Sequence, residues 1–108
     1  MSIEEWSEKI SIVHLSDDPQ FTEDLQGLGA LIRAHAGIVL DFTGVRYINS
    51  SNVSRLLRLR KQMSTTKARL ILCGMDTQVW SVFIVTGLDK LFETSENVPM
   101  ALAMSQME

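Results

Sequence analysis

The sequence is sparing with the residues that build covalent and metal scaffolds. Among 108 residues there is one cysteine, Cys73, so no internal disulfide can form and a zinc cluster lacks its ligands. The two histidines, His14 and His35, do not make up that shortfall. The longest mostly apolar run, Val79 to Val85, is broken by Ser81 and falls far below the ~20 residues that span a bilayer. Glu4 and Glu5 stand where a secretory signal would carry a basic region and an apolar stretch, so the expected location is cytoplasmic, away from membranes. Repeats, low-complexity tracts and linkers are missing too. The length suits one domain over residues 1–108, with a core over about 10–104.

What the chain does have is a composition of 45% apolar and 21% charged residues, that of an ordinary globular protein. The net charge of −3 conceals a division. Residues 1–24 set seven acids against Lys9, whereas residues 46–69 hold seven bases and no acid. Such asymmetry bears on the steering of partners. The basic stretch has no interleaved aromatics and the whole chain is acidic, which argues against a nucleic-acid surface.

The periodicity predicts alternating strands and helices. Residues 10–15 alternate and are β-branched, so they read as a strand, with residues 3–6 as a short partner. Ser16-Asp17-Asp18-Pro19 supplies helix-start chemistry, and Phe21, Leu25, Leu28 and Ile32 share one helix face. Residues 37–42 form a compact apolar run typical of a strand covered on both faces. Thr43 to Ser51 is a loop turning at Gly44. A helix is expected from about Ser51 to Ser64 with Val53, Leu56, Leu57 and the stem of Arg60 inward. Residues 68–72 read as a strand. Asp76 or Thr77 caps a helix through Val85 closed by Gly87, residues 91–93 form a short strand, and Asn97 with Pro99 opens a final helix to about Gln106. In that last helix Met100, Met104 and Met107 are read as core. The implied class is α/β, with right-handed crossovers.

Ile38-Val39-Leu40-Asp41-Phe42-Thr43-Gly44-Val45-Arg46-Tyr47-Ile48-Asn49-Ser50-Ser51-Asn52 resembles the central signature of STAS domains. There an apolar strand ends in Asp, a loop passes Gly, and Asp-Ser-Ser-Gly opens a leucine-rich helix. Val82-Phe83-Ile84-Val85-Thr86-Gly87-Leu88 is similar to the family's second hallmark, a helix ending in Thr-Gly-Leu. The resemblance implies a single STAS-like domain, a mixed sheet of about four or five strands packed against about four helices. It also implies the role of an anti-sigma-factor antagonist: binding an anti-sigma serine kinase of the histidine-kinase-like ATPase type, release on phosphorylation, and a phosphatase as further partner. The phosphorylated position carries over to Ser50, with Ser51 the second choice.

The residues at this point make a physical case of their own. A hydroxyl at a helix start lies beside unpaired N–H groups and the positive end of the dipole, where a phosphate could be held. Arg46, four residues before Ser50, and Arg55, five after it, are candidates to pair with that phosphate. The bland alternative is that Asn49, Ser50 and Ser51 are simply capping residues. Asn49 stands where the family has Asp, and Asn52 where it has Gly, which bears on recognition by a kinase. Asp18 (or Asp17) carries over from the family's N-terminal Gly-x-Leu-Asp segment. The switch and partner-binding residues are therefore Asn49, Ser50, Ser51, Asn52, Arg46, Arg55 and Asp18. An alternative is an interaction or scaffold module that is never phosphorylated. A nucleotide sensor rests on family analogy alone, since Gly27-Leu28-Gly29 does not make a phosphate-cradling loop. No catalytic residue, metal ligand or cofactor is expected, because neither histidine belongs to a motif that would make Ser50 a nucleophile. Cys73 is read as a buried apolar residue.

Overall fold

The computed structural model describes residues 2–28, 37–66 and 68–106. Strands β1 (Ser2–Glu5) and β2 (Ile10–Ser16) are joined by a tight turn in which the Ser7 hydroxyl accepts from the N–H groups of Lys9 and Ile10. Helix α1 (Gln20–Gln26) follows, then β3 (Gly37–Gly44), α2 (Ser50–Met63), β4 (Leu70–Cys73) and α3 (Thr77–Thr86). A 3-10 turn (Leu88–Lys90), β5 (Glu93–Ser95) and α4 (Val98–Ser105) complete the order. The sheet runs β1-β2-β3-β4-β5, with β1 antiparallel to β2 and the remaining neighbours parallel. Five strands and four α-helices among the described residues match the expected mixed α/β sheet.

Alternation along the strands creates two unequal faces. Val13, Leu15, Ile38, Leu40, Phe42 and Leu72 point to one side, where they meet Phe21 and Leu25 of α1, Leu56, Leu59 and Met63 of α2, and Val79 and Phe83 of α3. Ring contacts connect three of these elements: Phe42 lies edge-on to Phe21 at 5.9 Å and to Phe83 at 6.3 Å. Such edge-to-face pairs add about 0.5–1.5 kcal/mol each to area burial. On the opposite side Ile10, Ile12, Val39, Ile71 and Cys73 meet Ala101 of α4. Strand β3 is therefore covered on both faces, as its apolar run suggested.

Several expectations shift by a turn. Leu57 is 37% exposed and the Arg60 guanidinium reaches out to the Leu91 carbonyl at 2.7 Å, whereas Leu59 and Met63 are buried. The inward stripe is 52, 56, 59 and 63, the 3.6-residue period set by the first buried position; Leu57 sits 100° away from it. The last strand begins at Glu93, since Leu88–Lys90 winds into a 3-10 turn before it. Met100 is 47% exposed and Met104 half-buried, because Ala101 takes the place against the sheet. Met107, Ile32, Gly29 and His35 lie outside the described residues.

Candidate functional site

The site lies where the C-terminal ends of β2 and β3 deliver the chain to the starts of α1 and α2. Between β3 and α2 the loop is pinned from below. Val45 is buried and donates its N–H to the Phe42 carbonyl at 2.9 Å, and Ile48 packs against the main core. Gly44 closes on β2: a Cβ there would lie 2.8 Å from the Leu15 carbonyl oxygen, so any other residue would push the loop off its seat. Arg46 donates its backbone N–H to Asp17 Oδ1 at 2.8 Å. The loop thus presents Arg46, Tyr47, Asn49, Ser50 and Ser51 to solvent while its backbone is held.

Helix α2 starts with reciprocal capping. The Asn49 Oδ1 accepts from the Asn52 N–H at 2.8 Å, and the Asn52 Oδ1 accepts from the Asn49 N–H at 3.0 Å. This is a capping box with amide side chains in both roles. It satisfies the N-cap and third-residue donors and leaves the N–H groups of Ser50 and Ser51 without an acceptor among the described residues. Ser50 is the first helical residue and is exposed.

Asn52 does more than cap. Its side chain is buried, and its Nδ2 donates to Asp18 Oδ2 at 2.7 Å, to which Asn49 Nδ2 also points at 3.4 Å. The other Asp18 oxygen accepts from the Thr22 hydroxyl at 2.7 Å and the Thr22 N–H at 3.0 Å, capping α1. One carboxylate therefore ties two helix starts together. These donors, the Thr22 hydroxyl above all and then Asn52, hold the Asp18 carboxyl below the usual carboxylate range despite some cost of burial.

The structure brings Asp18, Asn49, Ser50, Ser51, Asn52 and Arg46 together around one loop. Arg55 lies elsewhere on the helix, five residues and about 140° around from Ser50. Its two terminal nitrogens reach the side-chain oxygen of Gln26, at the end of α1, at 3.0 and 2.9 Å in the amide orientation that satisfies both groups. Sequence reasoning missed Thr22, whose spacing of four from Asp18 is a legible capping signal. It missed Asp17 as an anchor for Arg46, which no local pattern foretells. Tyr47, 52% exposed beside the serines, was also passed over; a lone aromatic in a polar loop was its signal.

A second polar cluster lies on the α4 side of the sheet. His14 Nδ1 is 2.8 Å from Asp41 Oδ2, and Nε2 is 3.2 Å from Glu4 Oε1. With both ring nitrogens engaged, His14 is not placed as a base for Ser50. Among the described residues no group of histidine, cysteine and carboxylate side chains is arranged to hold a metal. Cys73 is buried as expected, and burial, with Asp41 nearby, pushes its thiol up to about 12. No helix among the described residues is long and apolar enough to cross a membrane.

Among the described residues, a mixed five-stranded sheet with three α-helices on one face and one on the other, and a capped serine-bearing helix start after β3, define the STAS class of regulatory domain. The chain belongs to the STAS domain family, whose model matches residues 2–101. Solved structures share the fold at low identity. The Thermotoga maritima protein TM1081 is 14% identical, with a TM-score of 0.86, over 98% of this chain and 94% of that one. An anti-sigma-factor antagonist (STAS) domain protein from Planctomyces limnophilus is 16% identical, with a TM-score of 0.77, over 98% of this chain and 97% of that one. The Bacillus cell fate determinant SpoIIAA, solved in its phosphorylated form, is 18% identical, with a TM-score of 0.72, over 95% of this chain and 96% of that one. No curated protein matches the sequence significantly.

Proposed function

We propose that this protein is an anti-sigma-factor antagonist-like signalling module. In its unphosphorylated state it binds an anti-sigma serine kinase of the histidine-kinase-like ATPase type, and phosphorylation at Ser50 releases it; Ser51 is the second choice. The observation that carries this reading is the exposed Ser50 at the first position of α2, beside two N–H groups without acceptors. A phosphate there gains a charge of about −1.5 to −2 close to the positive end of the helix. The loop itself presents Arg46 as a cation for it, whereas Arg55 is turned away toward Gln26 of α1. On a partner surface fitted to a neutral hydroxyl the new charge is costly to desolvate. Neither a catalytic residue nor a cofactor takes part on this side of the complex; the phosphoryl donor and its machinery belong to the kinase, and a phosphatase resets the module in the cytoplasm.

Incubation with ATP and a kinase recovered by pull-down from the native organism, followed by mass-spectrometric mapping, tests the reading. Phosphate on Ser50 or Ser51 supports it, and modification at neither removes the switch. A second reading, an interaction module that is never phosphorylated, draws on Asn49 and Asn52 standing where the family has Asp and Gly. It predicts partner binding indifferent to ATP.

A further inference from the structure

His14 stands on β2 between the edge strand β1 and the doubly covered β3, with a carboxylate on each ring nitrogen. A neutral imidazole has one N–H and can donate to only one of them; its other nitrogen then turns a lone pair toward a negative oxygen. Both contacts are satisfied together only by the imidazolium. The two carboxylates are not equivalent. Asp41 is buried, and its second oxygen accepts from the Thr43 hydroxyl and N–H, so its position is fixed. Glu4 is exposed, on a four-residue strand paired along one side only. On loss of a proton the ring keeps Nδ1–H on Asp41 and lets Glu4 go.

We propose that His14 is a proton-operated latch that fastens β1 to the sheet through Glu4, closed when the imidazole carries two protons and open when it carries one. Among the described residues, the other groups facing it do not titrate in the same range. Burial works against the Asp41 charge, but the Thr43 donors and His14 outweigh it and hold its carboxyl below the ordinary value. Cys73, paired with Asp41 across β3 and β4, stays a neutral thiol. Helix α4, on this face, carries no charged residue between Val98 and Ser105, and Glu5 alternates to the other side of β1. The hydrogen bond to Asp41, then that to Glu4, raises the His14 pKa above 6.5, against a smaller cost of burial. A raised folded pKa means that the latch contributes fully below the unfolded value and is lost as pH rises through the folded one.

The test pairs imidazole nitrogen NMR with backbone amide exchange of the full chain between about pH 5.5 and 8.5, corrected for intrinsic rates. Protection of the β1 amides is expected to fall by about two- to fivefold, the worth of one partly exposed ion pair, with the midpoint of the His14 titration. Glu4→Gln should leave β1 weakly protected at every pH and lower the His14 pKa, while amides of β3 and β4 keep their protection. His14→Gln should hold β1 at its high-pH limit throughout. Protection of β1 that stays level while His14 titrates overturns the proposal, as does a pH response surviving in Glu4→Gln.

Discussion

Asn52, buried in the first turn of α2, donates a 2.7 Å hydrogen bond to Asp18, which caps α1 from thirty-four residues earlier in the chain. The bond makes two helix starts depend on one amide. Placing an amide where the family has glycine fills the helix start from beneath and leaves the serines before it exposed.

Asn52→Ala removes both the reciprocal cap and the bond to Asp18. It is expected to cost about 1–3 kcal/mol, since buried polar partners are left unsatisfied. Asn52→Gly should cost up to about 1 kcal/mol more through backbone freedom. Urea midpoints at constant m-value would show both effects, and NMR should show the Asp18 pKa rising toward the ordinary value as it loses a donor.

Stability in acid should follow Asp18. Its folded pKa is lowered from 3.8, so its contribution is complete above that value and is lost as pH falls through the lowered one. Asp18→Asn should lower stability at neutral pH and flatten the acid limb of the pH–stability curve, measured by denaturant titration at successive pH values. An acid limb as steep as in the parent chain would show that other carboxylates dominate it.

Ser50→Asp should move stability and binding in opposite directions. An acid at the first helical position gains about 0.3–1 kcal/mol from the dipole, so the urea midpoint should hold or rise. Affinity for the proposed partner, an anti-sigma kinase, should fall at the same time. Ser64→Asp, at the far end of α2, should do the reverse: a negative charge at the helix C-terminus lowers stability and leaves binding unchanged. Calorimetry against the isolated kinase separates the two; equal affinities for both variants would remove the loop from the interface.

Two glycines with positive φ offer a test of packing against backbone strain. Gly87 (φ +79°) closes α3 in open space, so Gly87→Ala should cost only the left-handed backbone, about 1–2 kcal/mol. Gly74 (φ +73°) lies under Thr43 Oγ1 and Asp41 Oδ1, at 2.7 and 2.9 Å from an added Cβ. Gly74→Ala should therefore be the more destabilising of the two by thermal or urea denaturation.

The sequence patterns that proved legible are those whose signal is local. Alternation in residues 10–15, the two-sided apolar run at 37–42, and the caps Asp76 and Asn97 each depend on near neighbours, and the elements appear within a few residues of expectation. Leu57 and Met100 were misplaced because a stripe of leucines or methionines admits more than one helical phase; only the partner layer chooses between them. Cys73 was read correctly as buried. In the site, the capping role of Asn49 was legible, since its acceptor serves a donor three residues on. Burial of Asn52 was not, because its partner Asp18 reaches it only through the parallel pairing of β2 with β3. The bridge from His14 to Asp41 was hidden for the same reason, being a contact between strands twenty-seven residues apart.

The bracing around Ser50 has a consequence for the kind of message this surface can carry. The preceding loop is fastened to Asp17 and to the core, and the following turn to Asp18, so the backbone on both sides of the hydroxyl is already committed. A charge written there has little slack to pull on and would leave the rest of the sheet as it was. Under the proposed phosphorylation such a site would work as a stamp and not as a lever, and its meaning would lie with whatever reads the surface.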